Sequence, residues 1–475
     1  MTTQDFSSNT MKKQQPHILI SCLAAQGHLN PSFQLAKSLA LAGARVTFAT
    51  TIYGFSRIKN LPSFSGLSFA SFSDGYDDAE SRKNFKADSF FADLTHVGSK
   101  NLTKLIQTLS DEDRRVTFLI YGIMMPWAAE VASGMNIPSA FLSFQCAAAL
   151  AIYHKYFNSQ DGVYDGVRKI EPTISVKLPD LPLFENCDLP TILVPTDPQF
   201  ASAPPIFHEH IRALEKDSKP CVLVNTFAEL EEASIRAIVD HMNVIPIGPL
   251  FPCVHSDGND LSDKSVSLDL FECHENDYLQ WLDSKPEKSV VYTAFGSLTK
   301  LKKDEKLEIL HGLEETGRHY MIVMRAVENE DEEVKEMMEN GLNGKGKIVP
   351  WCSQMEVLCH KSIGCFFTHC GWNSTLESLV AGVPIVGCPH FADQTTNAKL
   401  IEEVWGNGVR AKANEDGVVG REEIRRCVDV LLGGGEKGEE IRRNAAKWRG
   451  LALEAMKENG SSHNNFKLFL DCLDN

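Results

Sequence analysis

Basic residues are the first shortage in this chain. Its 475 residues carry 47 Lys and Arg against 63 Asp and Glu, a net charge of −16. That balance excludes a nucleic-acid partner, because affinity for a phosphate backbone comes from clustered cations that release counterions. A long unbroken apolar run is also lacking. The longest hydrophobic tract, 116–153, is interrupted by Gly122, Pro126, Glu130, Asn136 and Pro138. It reads as alternating strands and helices, not as a membrane span. The glycine-rich LLGGGEKGEE at 431–440 lacks the Lys-Ser/Thr ending of a phosphate loop and reads as a helix connection. Regular cysteine spacing is missing too. Thirteen cysteines are scattered along the chain, which suits a reducing compartment. Cys352, Cys359, Cys365 and Cys370, with His360 and His369, invite a zinc site, but Cys365 lies inside an apolar strand, and buried thiols are the preferred reading. No metal is therefore expected. The opening MTTQDFSSNTMKKQQ has too few basic residues for a transit peptide, and the expected location is cytoplasmic.

Core is plentiful. An apolar share of 43% with 23% charged residues describes a globular protein, and the length exceeds one ordinary domain. Residues 17–23 read as a buried strand, 32–42 as a helix ended by Gly43, and 45–50 as the next strand. Such a unit implies a parallel sheet with a right-handed crossover. Further strands are expected at 67–72, 116–121, 139–144, 221–226 and 243–247. The Pro-rich stretch 165–205 reads as an irregular loop over a pocket. A linker at 248–288 precedes a second set of strands at 289–295, 320–324, 347–349, 363–368 and 409–411. Helices at 421–432, 439–459 and 461–473 close the chain. The fold class is α/β, with two doubly wound Rossmann-like halves.

The stretch from Trp351 to Gln394 dominates the second half. An apolar strand at 363–368 runs through His369-Cys370-Gly371-Trp372-Asn373-Ser374 into a helix that Gly382 stops. A parallel strand feeding a helix through a glycine turn offers free N–H groups and a favourable dipole to a phosphate. For an anionic ligand, such local donors must work against the negative charge of the whole.

This stretch resembles the signature box of plant secondary-product UDP-glycosyltransferases. WCSQ, HCGWNS, the Glu of TLES and the terminal Asp-Gln are its landmarks. AAQGHLNP, VNTFAELE, FGS and GSSHNNF fall where that family has counterparts, so the resemblance spans the chain. The subgroup it most resembles includes anthocyanin 5-O-glucosyltransferases and enzymes that esterify crocetin with glucose. The resemblance implies a GT-B fold, two Rossmann-like domains facing across a cleft. Residues 1–247 would bind the acceptor and 289–458 the UDP-sugar, with a helix in 459–475 packing back on the first domain. It also implies inverting transfer from UDP-glucose to a small apolar acceptor by a monomer that needs no cofactor.

By the same resemblance Trp351 stacks on uracil, while Gln354 and the backbone of Cys352 read the base edge. Glu377 would accept from the ribose hydroxyls. Its rival role is structural, since Ser374-x-x-Glu377 fits a capping box. His369, Asn373, Ser374 and Ser297 would reach the pyrophosphate. Trp372, Asp393 and Gln394 would contact the sugar, and the terminal Gln points to glucose. Met125, Phe144, Gln145 and Phe391 are candidates for an apolar acceptor pocket, though each could equally be core. His28 is the candidate base, at the carboxyl edge of the first sheet. One departure stands out. Where many family members carry an Asp that orients this histidine, the chain reads LIYGIMMPW, with Gly122. A weaker base favours an acceptor already ionised at pH 7, a carboxylic acid over a phenol, unless another acid substitutes.

Overall fold

The computed structural model describes residues 15–58, 61–83, 87–158, 174–193, 203–251, 268, 270, 277–325, 332–340 and 344–473. Its first half holds β1 (His17–Ser21), β2 (Arg45–Thr51), β3 (Leu67–Phe72), β4 (Phe118–Gly122), β5 (Ser139–Ser143), the short hairpin strands β6 (Val176–Lys177) and β7 (Leu183–Phe184), β8 (Cys221–Val224) and β9 (Asn243–Pro246). All but the hairpin join one seven-stranded parallel sheet, ordered β3-β2-β1-β4-β5-β8-β9. The second half holds β10 (Val290–Ala294), β11 (His319–Val323), β12 (Gly346–Val349), β13 (Ile363–Thr368), β14 (Ile385–Gly387) and β15 (Gly408–Arg410). These form a six-stranded parallel sheet, ordered β12-β11-β10-β13-β14-β15. Every residue of β1, β10 and β13 is buried, as expected where helices cover both faces.

Two expectations need correction. The first helix runs Gln26–Leu41, so it starts before Pro31 and places His28 in its first turn, not in a loop. A helix at Ala203–Lys216, not expected from the sequence, begins in the last three residues of the supposed irregular stretch, and its Pro204 and Pro205 lie in its first turn, where a missing N–H costs little. The prolines at its start had masked it. Of the stretch read as a pocket cover, residues 159–173 and 194–202 lie outside the described residues, as do 252–267, 269 and 271–276 of the expected linker.

The described part, 174–193, fastens the two halves together. Thr191 exchanges hydrogen bonds with Ala392. The hydroxyls of Thr395 and Thr396 donate to the carbonyls of Leu189 and Asp188, each at 2.7 Å. The buried Asp188 carboxylate meets Arg410 at 2.7 Å and Lys399 at 3.0 Å. Burial alone would raise its pKa, but the bonds from Lys399, the Glu185 N–H and Arg410 outweigh it and hold it below the usual range. At the other end, the Ser461–Leu473 helix crosses back to the first sheet. Ser462 donates to the Gly248 carbonyl, Asn465 donates to the Pro246 carbonyl, and Phe469 packs edge-on against Phe118.

Asp188→Asn leaves two cations in a covered site with one charge removed, and should cost about 3 kcal/mol. Urea unfolding at pH 7 measures it. Because the native pKa is depressed, the difference between wild type and variant should be full above the unfolded carboxylate value and shrink as pH falls below it.

Candidate active site

Both sheets reverse their winding beside a central strand. β1 has β2 on one side and β4 on the other, and β10 stands likewise between β11 and β13. Loops leaving the carboxyl ends of such neighbours diverge and open a crevice. His28 follows β1 and Gly122 ends β4, while Ser297 follows β10 and His369 follows β13. The residues singled out in the sequence therefore sit at the two switch points.

A seam of hydrogen bonds brings these edges together. Pro31 has no N–H, so the carbonyl four residues back, that of Gly27, loses its helical partner. Asn373 of the second half fills the gap, its side-chain amide donating to that carbonyl at 2.9 Å. The Trp372 indole N–H donates to the Asn225 carbonyl at 2.7 Å, and the Trp405 indole to the Leu230 carbonyl at 3.1 Å. The two indoles lie 6.0 Å apart, in one apolar cluster with the core of the first half. Gln26 binds both the carbonyl of Leu268 and the N–H of Leu270, and Asn30 accepts from Leu268. Within the QGHLNP motif, Gln26 and Asn30 thus hold the linker residues Leu268 and Leu270, and Gly27 meets the second half. Trp372, expected at the sugar, has its indole ring in this interface. The reason is its indole N–H, which must find an acceptor when buried.

On the second-half side, the helix Trp372–Ala381 begins at Gly371, and no side chain caps it. Cys370 takes φ 62°, the left-handed turn that swings the chain from strand to helix. His369 is pressed between two glycines: a Cβ at Gly296 would fall 2.6 Å from its Nε2, and one at Gly371 2.4 Å. Only glycine permits that approach. Burial lowers the His369 pKa to about 3, against the pull of a bond to Ala294, so the ring is neutral. The capping-box reading of Ser374 and Glu377 fails, because both lie inside the helix. Instead the Gln354 side-chain amide donates to Ser374 Oγ at 2.8 Å and to the Glu377 carboxylate. Burial raises the Glu377 pKa to about 7, with the Gln354 bond opposing. Tyr292 connects Gln354 and Cys352 from below, its hydroxyl 3.3 Å from the thiol and 3.4 Å from Gln354 Oε1. Trp351 is half-buried beside them. The Ser297 carbonyl accepts from Arg325 at 2.9 Å.

Across the cleft, Gln145 donates to the buried Asp393 carboxylate at 3.1 Å, joining an acceptor candidate to a sugar candidate. Burial raises the Asp393 pKa, opposed by bonds from Asn397 and Gln145. Gln394 accepts the N–H groups of His390 and Phe391, so its carbonyl oxygen shapes the loop that holds half-buried Phe391. Met125 is completely buried against Ser21 and is a core residue, not a pocket wall. Phe144 stacks on His28 with ring centroids 5.2 Å apart. His28 Nδ1 is buried without a hydrogen-bond partner among the described residues, and burial lowers its pKa to about 4. Among the described residues, the group placed to share a cation is Glu185, Cys187 and Asp188, and Asp188 is already paired with Lys399 and Arg410.

The family model for UDP-glucoronosyl and UDP-glucosyl transferase matches residues 265–422. The chain is 46% identical over 462 residues to UDP-glycosyltransferase 75C1 of Solanum lycopersicum, covering 96% of this chain and 98% of that protein. It is 47% identical over 467 residues to the chloroplastic crocetin glucosyltransferase of Gardenia jasminoides, covering 96% and 97%. The chain belongs to the UDP-glycosyltransferase family.

Os79 from O. sativa in complex with UDP superposes on this transferase with a TM-score of 0.82 and 31% identity, over 96% of this chain and all of that one. The two parallel sheets are the GT-B arrangement. No helix among the described residues is long and apolar enough to cross a membrane. One residue of the transferase's site escaped the sequence reading. Asn225, at the end of β8, accepts from Trp372 through its carbonyl, approaches Asn373 at 3.5 Å and accepts from the Leu250 N–H at 2.7 Å. The VNTFAELE motif was its signal, noticed for its resemblance but given no task. Trp372→Phe keeps an aromatic ring but removes the indole N–H and part of the buried ring, leaving the Asn225 carbonyl unpaired and a small cavity. We expect a loss of about 1–3 kcal/mol in urea unfolding.

Proposed function

We propose that this transferase moves glucose from UDP-glucose, with inversion and without a metal, onto the carboxylate of a small apolar acid, giving a glucosyl ester. The observation that carries the reading is the isolation of His28. Gly122 offers no carboxylate, Nδ1 has no partner among the described residues, and burial lowers the imidazole to about 4. Full proton transfer from a phenol near pKa 10 to such a base would be uphill by roughly 8 kcal/mol. A carboxylic acid asks for no such transfer, being ionised already.

In this reading a carboxylate oxygen attacks the anomeric carbon from the face opposite UDP. The bond from that carbon to the β-phosphate oxygen breaks, and the electron pair leaves on UDP. The departing charge meets the N–H groups at the start of the Trp372–Ala381 helix, with Asn373, Ser374, Ser297 and neutral His369 as hydrogen-bonding neighbours. Trp351 takes the uracil face, and the Cys352 backbone with Gln354 takes its edge. Glu377 accepts from the ribose diol, displacing the Gln354 amide that covers it now. Asp393 and Gln394 hold the glucose, and Phe144, Gln145 and Phe391 line the acceptor side.

With saturating UDP-glucose, crocetin and a cinnamic acid should be glucosylated faster than a flavonoid, as read by mass spectrometry. His28→Ala should slow a phenol at least about tenfold more than a carboxylate. Transfer confined to phenolic hydroxyls would overturn the ester reading. Glu377 supplies a separate check on the donor. A carboxyl near pKa 7 accepts a diol better once ionised, so UDP-glucose affinity should rise several-fold from about pH 6 to about pH 8. Calorimetry on wild type and Glu377→Gln tests this, and the variant should show no such rise.

A further inference from the structure

Position 122 lacks a side chain, and its room is taken. A Cβ at Gly122 would lie 2.9 Å from Phe144 Cε2, 3.2 Å from its Cζ and 3.3 Å from Cys22 Cβ. A side chain there and the Phe144 ring as it stands exclude each other. The same ring stacks on His28, with planes 25° apart. Phe144 is itself 5% exposed, so its position is set by packing. His28 Nδ1 meets no polar group among the described residues. The imidazole therefore takes its orientation from an aromatic face where a carboxylate would otherwise supply it.

We propose that Phe144 is the positioning residue of His28, and that Gly122 and Phe144 act as a matched pair: the glycine makes room for the ring that orients the imidazole, and the ring leaves no room for an acid at 122. A carboxylate partner both aims a histidine and stabilises its protonated form. A phenyl face aims it without making it more basic. The pair is accordingly a specificity device, which keeps the site productive for oxygens that ionise unaided and poor for those that do not. This rests on the reading of His28 as the group that faces the acceptor oxygen.

The test uses the 475-residue chain as wild type, Phe144→Leu, Phe144→Tyr, Phe144→Ala, Gly122→Asp and Gly122→Asp/Phe144→Ala. For each, kcat and KM are measured with 4-methylphenol, a phenol near pKa 10, and with cinnamate. UDP-glucose affinity is measured by calorimetry, and the His28 imidazole is titrated by NMR on carbon-13 histidine-labelled protein, its signal assigned with His28→Ala. Phe144→Leu, which keeps bulk but not the flat face, should lower kcat on the phenol about tenfold with UDP-glucose affinity unchanged, and Phe144→Tyr should restore most of it. Gly122→Asp alone should be impaired by collision with the ring. Adding Phe144→Ala should raise its phenol kcat about tenfold and move the His28 pKa up by about one unit or more, shifting the acid limb of the rate profile to higher pH. The proposal is overturned if Phe144→Leu keeps wild-type kcat, or if the double variant equals the product of the singles and the His28 titration stays where it was. A wild type that glucosylates neither acceptor overturns the functional reading instead, and the NMR arm still decides whether residues 122 and 144 govern His28. Any variant without UDP-glucose affinity is misfolded, and Phe144→Tyr and Phe144→Leu then carry the comparison.

Discussion

The Gly27 carbonyl is the small constraint on which the larger arrangement turns. Pro31 removes its helical partner, and Asn373, 346 positions away, supplies another. An unpaired buried carbonyl is costly, so closing the two halves at this point satisfies a defect written into the first helix. The bond joins the residue beside His28 to the first turn of the helix offered to the pyrophosphate. Trp372 and Trp405 repeat the logic on either side, each delivering an indole N–H to a carbonyl of the first half. Such bonds are directional, whereas apolar contact alone would let the halves slide. The separation of His28 from the Trp372–Ala381 helix is therefore fixed in part by these three side chains and the backbone carbonyls they meet.

Burial gives the site its second character. His28, His369 and Glu377 are all pushed toward their neutral forms, to about 4, about 3 and about 7. In the proposed reading, a chain of net charge −16 holds an anionic donor by aiming neutral donors and a helix end at it, not by surrounding it with cations. Dipoles fixed in a buried site need little reorganisation when charge develops on a leaving group. The same burial lowers the His28 pKa, so in the proposed reading donor activation and base strength pull in opposite directions. The acceptor's own acidity is what reconciles them in the reading proposed above.

Much of the scaffold was legible from the chain because its signals are local. The strand Ile363–Thr368 and the helices Arg421–Leu432 and Ser461–Leu473 have the bounds their periodicity and turn residues imply. The first helix was read too short because Pro31 looked like a start signal, and the group that makes it tolerable belongs to the other half. The capping-box alternative for Glu377 could not be dismissed by spacing, since Gly371 and Ser374 are both credible helix starts until backbone angles choose between them. Met125 and Trp372 illustrate the same limit. Their types suit a pocket, yet one fills the core and the other the interface.

The sequence by itself determined the fold class and the family and named the groups proposed for the nucleotide, because these depend on patterns a few residues long within Trp351–Gln394. Tertiary structure decided what those groups do to one another. It alone brings Gln145 to Asp393 and Asn225 to Trp372, and it alone sets Phe144 over His28 in the space above Gly122. The physical reason is that burial and packing are properties of places where distant segments meet. A missing side chain at position 122 can be read in one dimension, but what fills its room cannot.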